Sequence, residues 1–123
     1  MPRLVAVQAD GCAPVVKAYE TDADSCEPWV NAHTIAAGLC VPKSFADRLI
    51  LKNIRDSRGC AVGVSDEEIN DWQGLLARME GIFACPEGAA TLAGLVKLIQ
   101  QGSVTNDENV VIFNTASGNK YIT

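Results

Sequence analysis

The chain reads as an α/β protein, a parallel sheet of about four strands with helices on both faces, formed by residues 1–123 as one domain. Three observations predict this. Four short runs, at 4–7, 60–64, 82–85 and 109–114, are apolar at nearly every position, as strands covered on both faces are. Stretches with the 3.6-residue apolar period of helices lie between them. Helix start and stop residues fall at the junctions. Strands that alternate with helices pair in parallel through right-handed crossovers.

The elements follow in order. The run 4–7 is Leu-Val-Ala-Val, broken by Asp10-Gly11-Cys12. Pro14 suits a first helical turn, and Val15 to Tyr19 continue a short helix. Residues 20–44 show no clear period; a loop of that length in a small domain is often functional. Ser44 is an expected N-cap, with Asp47 three residues on, for a helix whose apolar face is Ala46, Ile50 and Ile54, widened by Leu49. Gly59 is its expected terminator. "CAVGV" (60–64) is the second strand. Ser65 and Glu68 have capping-box spacing, and Ile69, Trp72, Leu76 and Met79 form the stripe of a helix that Gly81 ends. "IFAC" (82–85) is a third strand. Pro86 opens a helix with Leu92, Leu95, Val96 and Ile99 on its apolar stripe, ending at Gly102. "NVVIFN" (109–114) is the fourth strand.

Composition excludes several functions. The formal charge is −5, so a phosphate backbone would be repelled and nucleic acid is not an expected partner. There is no basic run for an anionic membrane and no apolar run long enough to span one. The start is unlike a secretory signal, and the expected location is cytoplasmic. Five cysteines, with no CxxC pair and one histidine, His33, argue against a zinc site; they read as small buried hydrophobes in a reducing compartment.

Ligands of open parallel sheets bind beyond the C-terminal strand ends. That directs attention to the loops after Val7, Val64, Cys85 and Asn114. The last, "NTASGNKY" (114–121), holds Thr115, Ser117 and Gly118. A threonine hydroxyl donates or accepts, and so matches either protonation state of a ring nitrogen. The acidic run Asp66-Glu67-Glu68 is explained by capping and the helix dipole. Asp10 reads as a turn residue, His33 as a loop residue, and Trp72 as packing. Cys85 precedes a helix start but has no histidine near it in sequence to activate a thiolate.

The strings "PRLVAVQADGCAPVVKAYE", "TIAAGLCVP", "AVGVSDEEI", "EGIFACPEGAATLAGL" and "VVIFNTASGNKY" occur in this order and cover almost the whole chain. Together they resemble the C-terminal part of threonine synthases, pyridoxal-phosphate enzymes of the tryptophan-synthase-β type (fold type II). The resemblance implies that residues 1–123 are the C-terminal part of a large cofactor-binding domain. In such enzymes O-phosphohomoserine becomes threonine with release of phosphate. Thr115 matches the hydroxyl residue that contacts the pyridine nitrogen of the cofactor. Thr34 and Gly38, in "TIAAGL", match a loop on the active-site side, and Ser117 and Gly118 belong to the cofactor loop. Where the family pattern is "NTGSGLKY", this chain has Ala116 and Asn119.

The same resemblance implies what this chain leaves to others. The family's Schiff-base lysine and glycine-rich phosphate loop lie upstream of "PRLVAVQ". Lys17, Lys43, Lys52, Lys97 and Lys120 do not match the lysine motif, and each reads as a surface residue. The expectation is a fragment, inactive alone and binding no cofactor alone, whose partner is the missing N-terminal half. Apolar faces uncovered without that half favour self-association into homo-oligomers. Alternatives are an interaction module that completes a separately encoded N-terminal half, or a fragment of a sister enzyme such as threonine or serine dehydratase, serine racemase or cysteine synthase.

Overall fold

A computed structural model describes residues 1–122. Two strands, β1 (Val5–Ala9) and β2 (Cys60–Val64), pair in parallel with Val5 opposite Cys60 and Ala9 opposite Val64. Four helices surround them: α1 (Pro14–Glu20), α2 (Asp47–Asp56), α3 (Asp66–Glu80) and α4 (Pro86–Gln100). Short 3-10 turns lie at Ala37–Leu39 and Gly118–Tyr121.

Side chains of a strand alternate between faces, and the two faces are covered by different helices. Ala6 and Ala61 meet the cluster of Val15, Ala18, Leu51 and Ile54 from α1 and α2. Val7, Ala9 and Val64 meet Ile69 of α3 and Ala89, Ala90 and Ala93 of α4. The expected α/β layering, helices on both faces of a parallel sheet, is therefore present.

The sheet has two strands rather than four. Residues 82–85 contribute only an isolated antiparallel bridge, Ala84 to Ser117. Residues 109–114 form no ladder with any described residue. An apolar run supplies the side chains of a buried strand, but a ladder also needs a neighbouring edge, and none within the described residues reaches this run. Meanwhile both edges of the β1–β2 pair are open. Leu4 C=O accepts from Cys60 N–H and Val64 C=O accepts from Asp10 N–H. By parallel alternation, Val5 and Val7 on one strand and Ala61 and Gly63 on the other turn their backbone groups outward. Lys97 Nζ occupies one of these, donating to Gly63 C=O at 2.8 Å.

Helix boundaries show where local signals suffice. Ser65 Oγ accepts from Glu68 N–H and the Glu68 carboxylate accepts from Ser65 N–H, each at 3.0 Å, which is the expected capping box. Gly81 closes α3 in the left-handed conformation, with φ 69°. Ser44 is not a cap: α2 starts at Asp47 after Ala46, which makes no side-chain cap. Asp47 instead turns its carboxylate to the long loop, accepting from Cys26 N–H at 2.8 Å, and to Arg48 N–H at 2.9 Å. Arg58, with φ 58°, makes the left-handed turn after α2 that was expected of Gly59. Gly59 is needed for close approach, since a Cβ there would sit 1.7 Å from the Leu4 carbonyl oxygen.

The apolar faces also shift. In α2 the buried residues are Leu51 and Ile54, while Leu49 is 58% exposed. In α4 the buried residues include Gly88, Ala89, Ala90, Ala93, Gly94 and Leu98, so the helix approaches the sheet through small side chains. Leu92, Leu95 and Val96 are not among them, and Ile99 is exposed. Cys12 and Cys85 are buried as expected; Cys26, Cys40 and Cys60 are half-buried. No described helix is long and apolar enough to cross a membrane.

Candidate functional site

The last described residues fold back onto the start of α4. Ala116 C=O accepts from Cys85 N–H at 3.0 Å, and Gly118 N–H donates to Phe83 C=O at 2.8 Å. Ala116 is not among the three described non-glycine residues with positive φ, so the loop takes an alanine without left-handed strain. Cys85 caps α4: its sulfur accepts from Gly88 N–H at 3.3 Å, and its thiol faces Asn114 Oδ1 at 3.6 Å.

Glu87, in the first turn of α4, ties three segments together. Its Oε1 accepts from Gly38 N–H at 2.6 Å and from the Tyr121 hydroxyl. Burial works against the charged carboxylate, but the Tyr121 hydroxyl and the backbone donors outweigh it and hold the group below the usual range. The same bond raises the Tyr121 hydroxyl to about 12. Glu87 Oε2 is buried and has no partner among the described residues.

Thr115 stands on the outside of this arrangement. It is exposed, and its neighbours Asn114 and Ala116 are both anchored to Cys85. Its hydroxyl makes no hydrogen bond with another described residue. Ser117 Oγ accepts from Asn119 N–H at 3.1 Å and so caps the last turn, while Gly118 is buried. Gly38 reaches the same place through Glu87. Thr34 does not: its hydroxyl donates to Asp66 Oδ1 at 2.6 Å and accepts from Ala36 N–H, fixing the 33–40 loop to the start of α3. Thr115, Ser117, Gly118 and Gly38 thus gather at the α4 N-terminus, and Thr34 belongs to the α3 N-terminus.

Glu87 and Tyr121 escaped the sequence reading as site residues. Their signal was weak: a single acid after a helix-opening proline and the tyrosine of "NKY". Three lysines have partners, Lys17 with Glu27, Lys52 with Asp56, and Lys97 with Glu68. Lys43 and Lys120 are exposed. An open recess of about 450 Å³ lies elsewhere, along the outer edge of β2, with Lys17, Trp29 and Lys97 in its wall.

Residues 1–116 match the family model described as pyridoxal-phosphate dependent enzyme. The chain belongs to that family. It is 39% identical over 120 residues to the threonine synthase of Methanocaldococcus jannaschii, covering 98% of this chain and 30% of that protein. A threonine synthase of Mycobacterium bovis is 34% identical, with 98% of this chain and 31% of that protein covered. The chain therefore spans about 30% of the length of the curated relatives it matches. Among solved structures, a T.th. threonine deaminase superposes with a TM-score of 0.63 at 18% identity, over 79% of this chain and 30% of that one. Maize serine racemase gives 0.60 at 22%, over 75% of this chain and 27% of that one. At those identities the likeness establishes the fold alone.

The family's cofactor has two recognition ends, and the described residues fit one of them. A ring nitrogen needs a donor or acceptor whose bonds are not already used, and the hydroxyl of the exposed Thr115 has none with another described residue. A phosphate needs clustered N–H groups or cations. At the α4 N-terminus the Glu87 carboxylate already takes the favourable position, so an anion there would be repelled.

Proposed function

We propose that this chain is the ring-facing C-terminal portion of a threonine synthase-like lyase that converts O-phosphohomoserine into threonine and phosphate. The observation that carries the proposal is Thr115: the residue is exposed and its hydroxyl has no partner among the described residues, while the residues on either side are held on the start of α4. The similarity to threonine synthases along nearly the whole chain supports the substrate class.

When bound, the cofactor would draw electrons from the substrate carbon through its ring. This chain's part is to hold that ring. Thr115 Oγ1 would hydrogen-bond the pyridine nitrogen, donating to it when it is unprotonated and accepting from it when it is protonated. Ser117, by capping the last turn, fixes where the loop stands. Glu87 keeps the 37–40 turn and the C-terminal turn in one place. The lysine that tethers the cofactor and the loop that holds its phosphate come from an upstream half. The isolated chain is therefore inactive and binds no cofactor tightly. The protein is cytoplasmic, and the open edges of β1 and β2 and the exposed run at 110–113 are where the upstream half docks. Without that half, the same surfaces favour homo-oligomers.

A second reading, an interaction module that completes a separately encoded half, is favoured by those same open edges. One experiment, whose success either reading allows, tests the role of Thr115 and distinguishes a threonine synthase-like chain from a sister enzyme. The chain is mixed with the upstream two-thirds of a threonine synthase relative, and phosphate release from O-phosphohomoserine is followed. Activity that emerges on mixing and falls at least tenfold with Thr115→Ala supports the proposal. Mixing that restores activity equally with either side chain refutes the role of Thr115, and turnover of serine or threonine but not O-phosphohomoserine assigns the chain to a sister enzyme.

A further inference from the structure

The run 109–114 has no ladder, yet both of its ends are tied to the sheet layer. At its start, Glu108 pairs with the Arg3 guanidinium, which also donates twice to Ser103 C=O at 3.2 Å. Arg3 lies just ahead of β1. At its end, Asn114 Oδ1 faces the Cys85 thiol at 3.6 Å, and a Cβ on Gly88 would stand 2.2 Å from the same oxygen. Ala89, the next residue of α4, belongs to one buried cluster with Ala9 at the end of β1. The run therefore travels from the level where β1 starts to the level where β1 ends, in the same direction. Arg3 to Ala9 and Glu108 to Asn114 are each six steps, about 20 Å of extended chain.

The two segments do not pair with each other. Paired strands stand about 4.8 Å apart and exchange backbone bonds, whereas Arg3 and Glu108 meet at the tips of two long side chains. Val5 and Val7 turn their backbone groups outward. Val110, Val111, Ile112 and Phe113 are exposed at successive positions, and so on both faces of the run.

We propose that one strand from outside this chain enters between β1 and 109–114 and pairs in parallel with both. Its source is the upstream half, which rests on the reading above that the chain is one part of a longer enzyme; the chain covers 30% of the Methanocaldococcus jannaschii relative. The surroundings set the chemistry of the strand. Helices α1 and α2 cover one face of the β1–β2 pair, and α3 and α4 cover the other. A strand added in that layer is buried on both faces, so it is a run of about six residues rich in Val, Ile and Leu. Its backbone bonds on both sides, which excludes proline from its interior. Running parallel to β1, it ends beside the loop that carries Thr115, and the residues that follow it complete the candidate site.

The test is amide hydrogen exchange, resolved by residue, of the chain alone and mixed with the upstream two-thirds of a threonine synthase relative. On mixing, the Val5 and Val7 amides and two alternate amides within 110–113 should slow together, at least tenfold. Val111→Asp, at an exposed position, should leave the isolated chain folded by circular dichroism and abolish this joint slowing, whereas Thr115→Ala should preserve it. Slowing at β1 alone, at 110–113 alone or at neither overturns the proposal. So does joint slowing already present in the chain alone, which would mean that a second copy supplies the strand or that the run closes directly onto β1, and so does joint slowing that survives Val111→Asp. Joint slowing without phosphate release from O-phosphohomoserine keeps the entering strand and refutes the substrate assignment. Phosphate release without joint slowing does the reverse.

Discussion

The runs 60–64 and 109–114 are alike in sequence and opposite in structure. "CAVGV" pairs along its whole length with β1 and buries Val62 and Val64. "NVVIFN" has no ladder partner among the described residues, and Val111 and Phe113 remain 80% and 74% exposed. Both sequences carry the apolar content of a central strand. The difference lies in what stands beside them: β2 has β1 next to it and α4 over its face, whereas no described strand lies beside 109–114, which touches α4 only through Asn114 at its end. Burial is a property of a pair of surfaces, and a chain can carry one member of the pair without the other.

Mutation can widen or narrow this contrast. The largest effect is expected in the paired region. Leu51 is fully buried in the cluster that α1 and α2 form, and Leu51→Ala should cost about 3 kcal/mol of unfolding free energy, read by urea denaturation. A loss under about 1 kcal/mol would mean that this side of the sheet is not a formed core.

An intermediate effect should follow pH. Glu87 is held low as described above. For Glu68, burial opposes the charge, but the Ser65 backbone, Lys97 and the Ser65 hydroxyl outweigh it and depress the group. A depressed carboxyl contributes stability that is present above its unfolded value, about 4.3, and lost as pH falls through the folded value. The melting temperature should therefore hold above about pH 5 and decline below it, and Glu68→Gln should flatten the decline. Tyr121 works the other way. Raised to about 12, it contributes stability that is present below the unfolded value and lost as pH climbs toward the folded one. Phenolate absorbance should show one late-titrating tyrosine, brought back toward the ordinary range by Glu87→Gln.

The smallest effect is expected at the unpartnered run. Phe113→Ala should change the stability of this chain by no more than about 0.5 kcal/mol, as for an exposed residue. The same substitution should reduce both self-association, measured by sedimentation, and the activity recovered on mixing with an upstream half. A cost above about 2 kcal/mol in this chain alone would show that Phe113 is already packed.

Much of the layering was legible because it is local. The Ser65–Glu68 box, Gly81 and Pro86 each act within a few residues, and the structure uses all three as expected. What was not legible depended on distant neighbours. Asp47 binds the Arg48 amide and, across the long loop, the Cys26 amide, so Ser44 is passed over. In α4 the large residues Leu92, Leu95 and Val96 formed the conspicuous stripe, yet the small residues around Gly94 face Val7 and Val62. Close helix–sheet approach selects small side chains, and apolar periodicity does not report that. At the site, "NTASGNKY" was recognisable as a loop beyond an apolar run. The convergence of Gly38 and Tyr121 on Glu87, across 49 and 34 residues of chain, was not.

The central claim is that this chain supplies the wall facing the cofactor ring and not the amine that tethers it. Titrating the isolated chain with pyridoxal phosphate and following imine absorbance tests it most directly. No saturable band is expected. A band that saturates at one equivalent and disappears on substitution of a single lysine among Lys17, Lys43, Lys52, Lys97 and Lys120 would contradict it.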